Sequence, residues 1–477
     1  MKPEAITYIQ EQIGRGEARL LPYAMKSSSF SYHERHMVIR IKKYVRDFLS
    51  GGMRDFRWII MPGLRGVGKT TVMAQVFIHT KRTTASTSVN LLYLSADDLT
   101  TRSLTLRDAL DAYEYILDTP FEKLTRPTLL FIDEVQQDKN WAAILKSLHD
   151  RARNIFIFST GSSAISLQSN PDVARRAKFE KLYPLSFGEF QMIKNNIFPS
   201  PGLKDRIKVA IYESSNAEEA FTKLKSLEAS VASQWSRFDR ADINEYLMNG
   251  TLPFTLKELA PSAYDNINIL IDRIIDKDIK ELGQFDTQTI SAIKRLLFIM
   301  AESDGLSANK ASSTLQLSYN TVLAILDALE KTELVIKVPA QGSKTKQARK
   351  PAKYLFMSPS MRAALLNASG IGEAFMTQRG KFLEDITALH FYREFVAPHT
   401  GSVTYDVSQG GADFILQIAG KKQIAFEMGI GHKGYEQVKK TMQSFKIDFG
   451  VVVCATDLMV SKEDNVVKLP LDYFLLM

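Results

Sequence analysis

The feature that most constrains this chain is an apolar run, Trp58–Met61, that breaks into Gly63-Leu-Arg-Gly-Val-Gly-Lys-Thr70. The spacing G-x-x-x-x-G-K-[ST] is matched at every fixed position, and Thr71-Val-Met-Ala-Gln75 continues in helix-compatible residues. A buried strand, a glycine-rich turn and a helix in that order line up backbone amides at a helix N-terminus, which suits a phosphate group. Gly63, Gly66 and Gly68 let the backbone turn inward, Lys69 can reach β- and γ-phosphates, and the Thr70 hydroxyl can ligate Mg²⁺. Arg65 and Thr71 complete the predicted nucleotide-binding set. ATP and Mg²⁺ are therefore the expected ligands.

Such a loop needs an acidic site across the sheet, and Thr128-Leu-Leu-Phe-Ile-Asp133-Glu134 supplies one. Asp133 is expected to hold Mg²⁺, largely through water, and Glu134 to polarise the attacking water as general base. The next apolar strand, Asn154–Ser159, ends in Thr160-Gly-Ser-Ser163, whose hydroxyls are expected to face the γ-phosphate or the lytic water. Arg175 and Arg176 follow. Arg176 is the candidate for stabilising charge on the γ-phosphate, in cis or from a neighbouring subunit. A surface arginine pair is the alternative.

Apolar runs recur at Trp58–Met61, Leu91–Leu94, Leu129–Ile132 and Ile155–Phe158. Continuous rather than alternating runs indicate strands covered on both faces, so the first half is read as a parallel α/β sheet flanked by helices. Ser31–Leu49 reads as a basic amphipathic helix with Val38, Ile41, Val45 and Phe48 or Leu49 on one face. After Asn195 helical spacing takes over, as in Asn216–Trp235 and Ile267–Ile279, with Pro199-Ser-Pro-Gly202 marking the junction. The segment Thr287–Leu366 reads as three helices and a hairpin: Ile290–Met300, Ser307–Leu315, Ser318–Glu330, then strands Leu334–Val338 and Ala352–Met357 around a basic loop. Beyond Gly370–Gly372 the pattern is mixed α/β, with strands expected at Ser402–Val407, Asp413–Ile418, Gln423–Met428 and Phe449–Ala455.

The net charge of +8 is unevenly placed: six basic residues and no acidic ones lie between Lys337 and Lys353, leaving about +2 for the remainder. A concentrated basic segment points to a polyanion, with a solvated loop as the alternative. At 45% hydrophobic and 24% charged the composition is that of a folded soluble protein. No stretch approaches the ~20 apolar residues of a membrane-spanning helix, so no membrane partner is expected. The first residues carry acids and no apolar core, unlike a signal or transit peptide. Cys454 stands alone, which excludes an intramolecular disulfide or a cysteine-based zinc cluster and fits a reducing, cytoplasmic setting.

In its motifs the chain resembles the widespread bacterial and archaeal P-loop ATPases of the AAA+ superfamily that carry a helical region and a C-terminal restriction-endonuclease-like domain. The resemblance is carried by Gly63–Thr71, by Phe131-Ile-Asp-Glu-Val-Gln136 with Trp141 beyond it, by Thr160-Gly-Ser-Ser163, by Leu185-Ser-Phe-Gly-Glu-Phe190 and by Asn249-Gly-Thr-Leu-Pro253. Leu64 stands where that family usually has proline, Arg175 where it has glycine, and Asn249-Gly-Thr is a relaxed Gly-Gly turn. The expected organisation is an N-terminal helical segment (1–50), a P-loop ATPase core (51–194), a helical lid region (195–286), a winged helix (287–366) and a degenerate nuclease-like domain (367–477).

In a winged helix, Tyr319, Asn320 and Thr321 would start the recognition helix. Lys344, Lys346, Arg349 and Lys350 would form a wing suited to the phosphates of double-stranded DNA. In the last domain the resemblance implies a second metal site at Glu384, Asp413 and Glu427, with Gln437 on the following helix. The accompanying lysine is absent, because Glu427-Met-Gly429 has glycine in its place; Lys422, His432 and Lys433 are the nearby substitutes. The expectation is a fold kept for binding after loss of cleavage. Three functions remain open: a DNA-associated ATPase, an ATP-dependent nuclease, and an ATP-driven switch or scaffold with a protein partner. A homo-oligomer is implied by resemblance and by a trans role for Arg176.

Overall fold

The computed structural model describes residues 2–26, 31–52, 56–85, 88–161, 171–282, 285–303, 308–343, 345, 347, 350–370, 374–420, 422–429, 431, 434–455 and 458–477. The chain divides into two compact units, Met1–Tyr183 and Pro184–Met477.

The first unit is built on five parallel strands in the order β2-β3-β4-β1-β5. They are β1 (Trp58–Pro62), β2 (Asn90–Ser95), β3 (Thr128–Asp133), β4 (Ile155–Gly161) and β5 (Lys178–Phe179). Every residue of β1, β3 and β4 is buried, because helices cover both faces. Side chains alternate between those faces. On one, Trp58, Ile60, Leu130, Ile132, Ile155 and Ile157 form a core with Tyr8 and Ile9 of helix Pro3–Ala24 and with Trp141 and Leu145 of helix Trp141–Arg151. On the other, Phe131 meets Phe77 of helix Lys69–Thr83 edge-on at 5.2 Å, and Phe156 meets Phe48 of helix His36–Leu49 at 5.6 Å. The latter helix starts five residues after the expected Ser31, since the Tyr32–Arg35 segment stays outside it and runs beneath the glycine-rich loop.

The parallel register sets the ends of the strands level. Ile132 pairs with Ser159 and Met61 with Thr160, so Asp133, Thr160 and the loop after β1 emerge at one edge of the sheet.

The second unit opens with helix Phe187–Asn195, started by a capping box in which Ser186 and Glu189 satisfy each other's backbone amides. The helical spacing over Asn216–Trp235 resolves into two helices, Ala217–Lys225 and Glu228–Trp235, separated by Ser226 and Leu227. Ile267–Ile279 is the end of helix Ala260–Arg273 running into a π-helical stretch, Ile274–Ile279. Helices Thr287–Glu302, Ala308–Leu315 and Tyr319–Lys331 then lead to an antiparallel pair, β6 (Val335–Val338) and β7 (Lys353–Phe356).

Helices Pro359–Ala368 and Ala374–Phe391 precede a six-stranded sheet in the order β12-β13-β11-β10-β9-β8. Its strands are β8 (Gly401–Thr404), β9 (Phe414–Ile418), β10 (Gln423–Met428), β11 (Phe449–Cys454), β12 (Met459–Ser461) and β13 (Val466–Pro470). The β10, β11 and β13 pairings are parallel and the remainder antiparallel. The last two strands were not expected from the sequence. Helix Glu436–Phe445 lies so close to β11 that a Cβ on Gly450 would fall 2.1 Å from Val438 Cγ1.

Candidate nucleotide site

After β1 the chain turns through Gly66 and Gly68, whose φ values of 81° and 94° favour glycine, and Gly68 caps helix Lys69–Thr83. Gly63 is required by proximity: a Cβ there would sit 2.3 Å from the carbonyl oxygen of Leu182. Lys69 is buried and curls back on its own loop, donating to the carbonyls of Gly63 at 2.9 Å and Leu64 at 3.1 Å. Arg65 and Thr71 are half-buried beside it.

Thr70 donates its hydroxyl to Asp133 Oδ2 at 2.8 Å, bringing together the two residues expected to share a metal ion. The other oxygen, Oδ1, accepts from the Thr160 hydroxyl, and Thr160 Oγ1 in turn accepts the backbone N–H of Glu134 at 3.2 Å. Thr160 is thus oriented as donor to one acid and acceptor from the next. Burial, and then the neighbouring Glu134 charge, push the Asp133 carboxyl above its ordinary range; the Thr160 and Thr70 hydrogen bonds and the Lys69 charge oppose this. Glu134 has a left-handed backbone, φ 54°, where the chain leaves β3, and its Oε2 accepts from Gln136 Nε2 at 2.5 Å.

Thr70 and Asp133 are hard oxygen donors within one hydrogen bond of each other, a set that fits Mg²⁺. Sequence reading missed Gln136 as a partner of Glu134, although its place two residues on, in the turn after β3, was the available signal.

Arg176 is not brought to this edge. Its Nε donates to Asp150 at 2.6 Å and its Nη1 to the Asp172 carbonyl at 3.0 Å. Asp150 closes helix Trp141–Arg151, just before β4 begins, so Arg176 is held toward the opposite end of the parallel strands. Ser162 and Ser163 lie outside the described residues.

In the second unit, Tyr319 is 47% exposed, Asn320 is exposed and Thr321 is half-buried, at the start of a helix capped by Ser318, whose Oγ accepts from Thr321 N at 3.1 Å. Further along, that helix exposes Leu323, Asp327, Glu330 and Lys331, with Lys331 Nζ 2.8 Å from Asp327 Oδ2. Lys350 is exposed, whereas Lys344, Lys346 and Arg349 lie outside the described residues, as does Ser307.

Lys353, the last of the six basic residues, turns inward. It forms an ion pair with Glu384 and lies 3.6 Å from Asp413 Oδ1. Asp413 Oδ2 accepts the Met428 N–H at 2.9 Å, and the Asp413 N–H reaches Glu427 Oε2 at 3.3 Å, so the three acids do converge. Among the described residues, however, no group of three or more His, Cys, Asp or Glu is arranged to hold a metal ion. Lys353 stands between Glu384 and Asp413 as an internal ammonium that compensates both. Burial would lower the Lys353 pKa, but Glu384 and Asp413 outweigh it and hold the ammonium above its usual value. Lys422 lies 3.7 Å from Asp448 instead, and His432 and Lys433 lie outside the described residues. No helix among the described residues is long and apolar enough to cross a membrane.

Residues 55–191 match the family model of an AAA domain, and residues 240–371 that of a domain of unknown function, DUF8612. Among solved structures, the Aeropyrum pernix ORC1 protein in complex with DNA aligns with 75% of this chain and 97% of its own at 12% identity and a TM-score of 0.33. AMPPCP-bound DnaA from Aquifex aeolicus aligns with 63% of this chain and 90% of its own at 14% identity and a TM-score of 0.26. Scores this low carry nothing about function. The uncharacterized protein MJ1637 of Methanocaldococcus jannaschii is 32% identical over 474 residues, covering 98% of this chain and 93% of that one. With a likeness that runs through both units, the chain belongs to the family of MJ1637.

Proposed function

We propose that this chain binds ATP with Mg²⁺ and hydrolyses it at the edge of the parallel sheet formed by the loop after β1 and the ends of β3 and β4. The observation that carries the reading is the Thr70–Asp133 hydrogen bond of 2.8 Å beside Lys69, in a loop that matches an AAA domain. Backbone amides of Gly66, Gly68 and Lys69 cradle the phosphates, with Arg65 and Thr71 flanking them. Lys69 exchanges its two carbonyl partners for phosphate oxygens. Thr70 and Asp133 hold the metal, which when bound neutralises charge on the β- and γ-phosphates.

Glu134 takes the proton of the attacking water. Thr160 fixes the Glu134 backbone and Gln136 its carboxylate, so the base is oriented from both ends. Duplex DNA is the proposed partner, met by Tyr319, Asn320 and Thr321 and by the basic loop with Lys344, Lys346, Arg349 and Lys350. Lys353 is excluded from that set by its ion pair with Glu384.

Phosphate release from ATP with Mg²⁺, with and without duplex DNA, tests both parts. Turnover that Glu134→Gln abolishes while ATP still binds supports the engine; a variant that turns over at the parental rate removes Glu134 as base. Stimulation by DNA that weakens steeply with salt supports the partner. Turnover indifferent to DNA points to a switch governed by a protein instead.

A further inference from the structure

Arg35 has no role in any motif read from the sequence, yet it is a charged side chain only 7% exposed. It sits immediately before helix His36–Leu49, where its carbonyl accepts the first turn's Val38 N–H at 2.9 Å. That helix buries Val38, Ile41, Val45 and Phe48, so the residue before it has a fixed place. The segment is pinned a second time by Gln75, in helix Lys69–Thr83, whose Nε2 donates to the Tyr32 carbonyl at 2.9 Å.

From this place the guanidinium reaches two carbonyls. Nη1 donates to Val67 O at 2.9 Å and Nη2 to Tyr183 O at 2.9 Å. Val67 lies inside the glycine-rich loop, between Gly66 and Gly68. A peptide unit is trans and planar, so its C=O and N–H point in opposite directions. Holding the Val67 carbonyl against Arg35 therefore turns the Gly68 N–H to the other side of the loop. Gly68 is flexible by nature, with φ 94°, and its neighbour Gly66 is equally so; left alone, this peptide unit has little to fix its orientation. The second carbonyl belongs to the strand extension that passes the loop on its other side, where Leu182 N donates to Pro62 O at 2.9 Å and Leu182 O crowds Gly63. One cation thus clamps the middle of the loop to the chain that borders its beginning.

We propose that Arg35 is a positioning residue for nucleotide binding: by holding the Val67 carbonyl it aims the Gly68 amide at the phosphates. The proposal rests on the nucleotide reading above. Its substrate is the polyphosphate moiety, so removing Arg35 should weaken ATP and ADP alike, with turnover at saturation little changed once nucleotide is bound.

The test is equilibrium titration of the full chain with a fluorescent ATP analogue and the matching ADP analogue, alongside steady-state hydrolysis and thermal unfolding without nucleotide. The proteins are the wild type, Arg35→Ala, Arg35→Lys and Lys69→Ala. Arg35→Ala is expected to lose about ten- to hundredfold in affinity for both nucleotides, in keeping with hydrogen bonds to a charged donor. Its kcat at saturation should stay near the parental value, so the defect falls on KM. Arg35→Lys, which keeps the charge but not the two-pronged geometry, should lie between, and added guanidinium ion should restore affinity to Arg35→Ala but not to Lys69→Ala.

Affinity of a folded Arg35→Ala within about twofold of the parent overturns the proposal, as does an equal fall in kcat with KM unchanged. Should Arg35→Ala not fold, Arg35→Lys decides by the same affinity criterion. Absence of nucleotide binding by the wild type instead overturns the nucleotide reading itself, and the proposal with it.

Discussion

Lys353 lies 3.6 Å from Asp413 and is paired with Glu384, so a half-buried ammonium from the second strand of a basic hairpin sits among acids of the following helix and sheet. Burial, then the Asp413 charge, raise the Glu384 carboxyl to about 6, against the pull of Lys353. A carboxyl raised on folding binds its proton more tightly in the native state. Its contribution to stability is therefore full below the ordinary value of 4.5 and is lost as pH rises through about 6. Glu384→Gln cannot ionise, so unfolding curves over a pH series should show it gaining on the parent between these two pH values, with a constant gap above them. Lys353→Met should have the reverse profile, destabilising most at neutral pH, by about 3–5 kcal/mol, where both carboxylates are charged and uncompensated.

Arg362 and Asp385 form the most buried ion pair of the second unit among those described, 3% and 0% exposed. Arg362 Nε and Nη2 meet the two Asp385 oxygens at 2.6 and 2.9 Å, and its Nη1 caps helix Thr287–Glu302 through the Met300 and Ala301 carbonyls. Asp385 also accepts the Phe356 N–H at 2.9 Å. Arg362→Leu should cost about 3–5 kcal/mol in a chemical-denaturation experiment, because it strands a buried carboxylate. The double variant Arg362→Leu with Asp385→Leu should recover part of that loss.

Gln136 should matter to rate more than to affinity. Its donation to Glu134 at 2.5 Å orients the proposed base without touching the phosphate loop. Gln136→Leu is expected to lower kcat about tenfold or more while the ATP dissociation constant stays near the parental value. An unchanged kcat in steady-state hydrolysis would detach Gln136 from the chemistry.

Gly63→Ala should damage both fold and binding. The added methyl would meet backbone, the Leu182 carbonyl at 2.3 Å, which cannot rotate away as a side chain would. A loss of about 1–3 kcal/mol in thermal unfolding is expected, together with weaker nucleotide binding by titration.

The parts legible in the sequence were those whose local chemistry repeats their global role. β1, β3 and β4 are buried on both faces and so appear as unbroken apolar runs. β5 is two half-buried residues, Lys178 and Phe179, and carries no pattern of its own. β12 is exposed or half-buried throughout, and β13 is interrupted by Lys468, so both escaped notice. Lys353 was counted with its basic neighbours in sequence, but strand alternation places it on the same face as the buried Leu355, a signal present from the start. Arg35 could not have been found this way. Its partners are carbonyl groups, and a carbonyl leaves no trace in the identity of the residue that bears it.

Lys69 donates to two carbonyls of its own loop, those of Gly63 and Leu64. If nucleotide binds as proposed, loading the loop would be a swap of acceptors for that ammonium rather than the capture of a waiting charge, and such a swap by itself would favour no particular anion strongly. Selectivity would then be left to the row of amides behind it, which could tell a chain of phosphates from a single one by length. On the proposed reading, free phosphate should accordingly compete poorly with triphosphate, and Lys69 would act as a latch whose carbonyl contacts the ligand must displace.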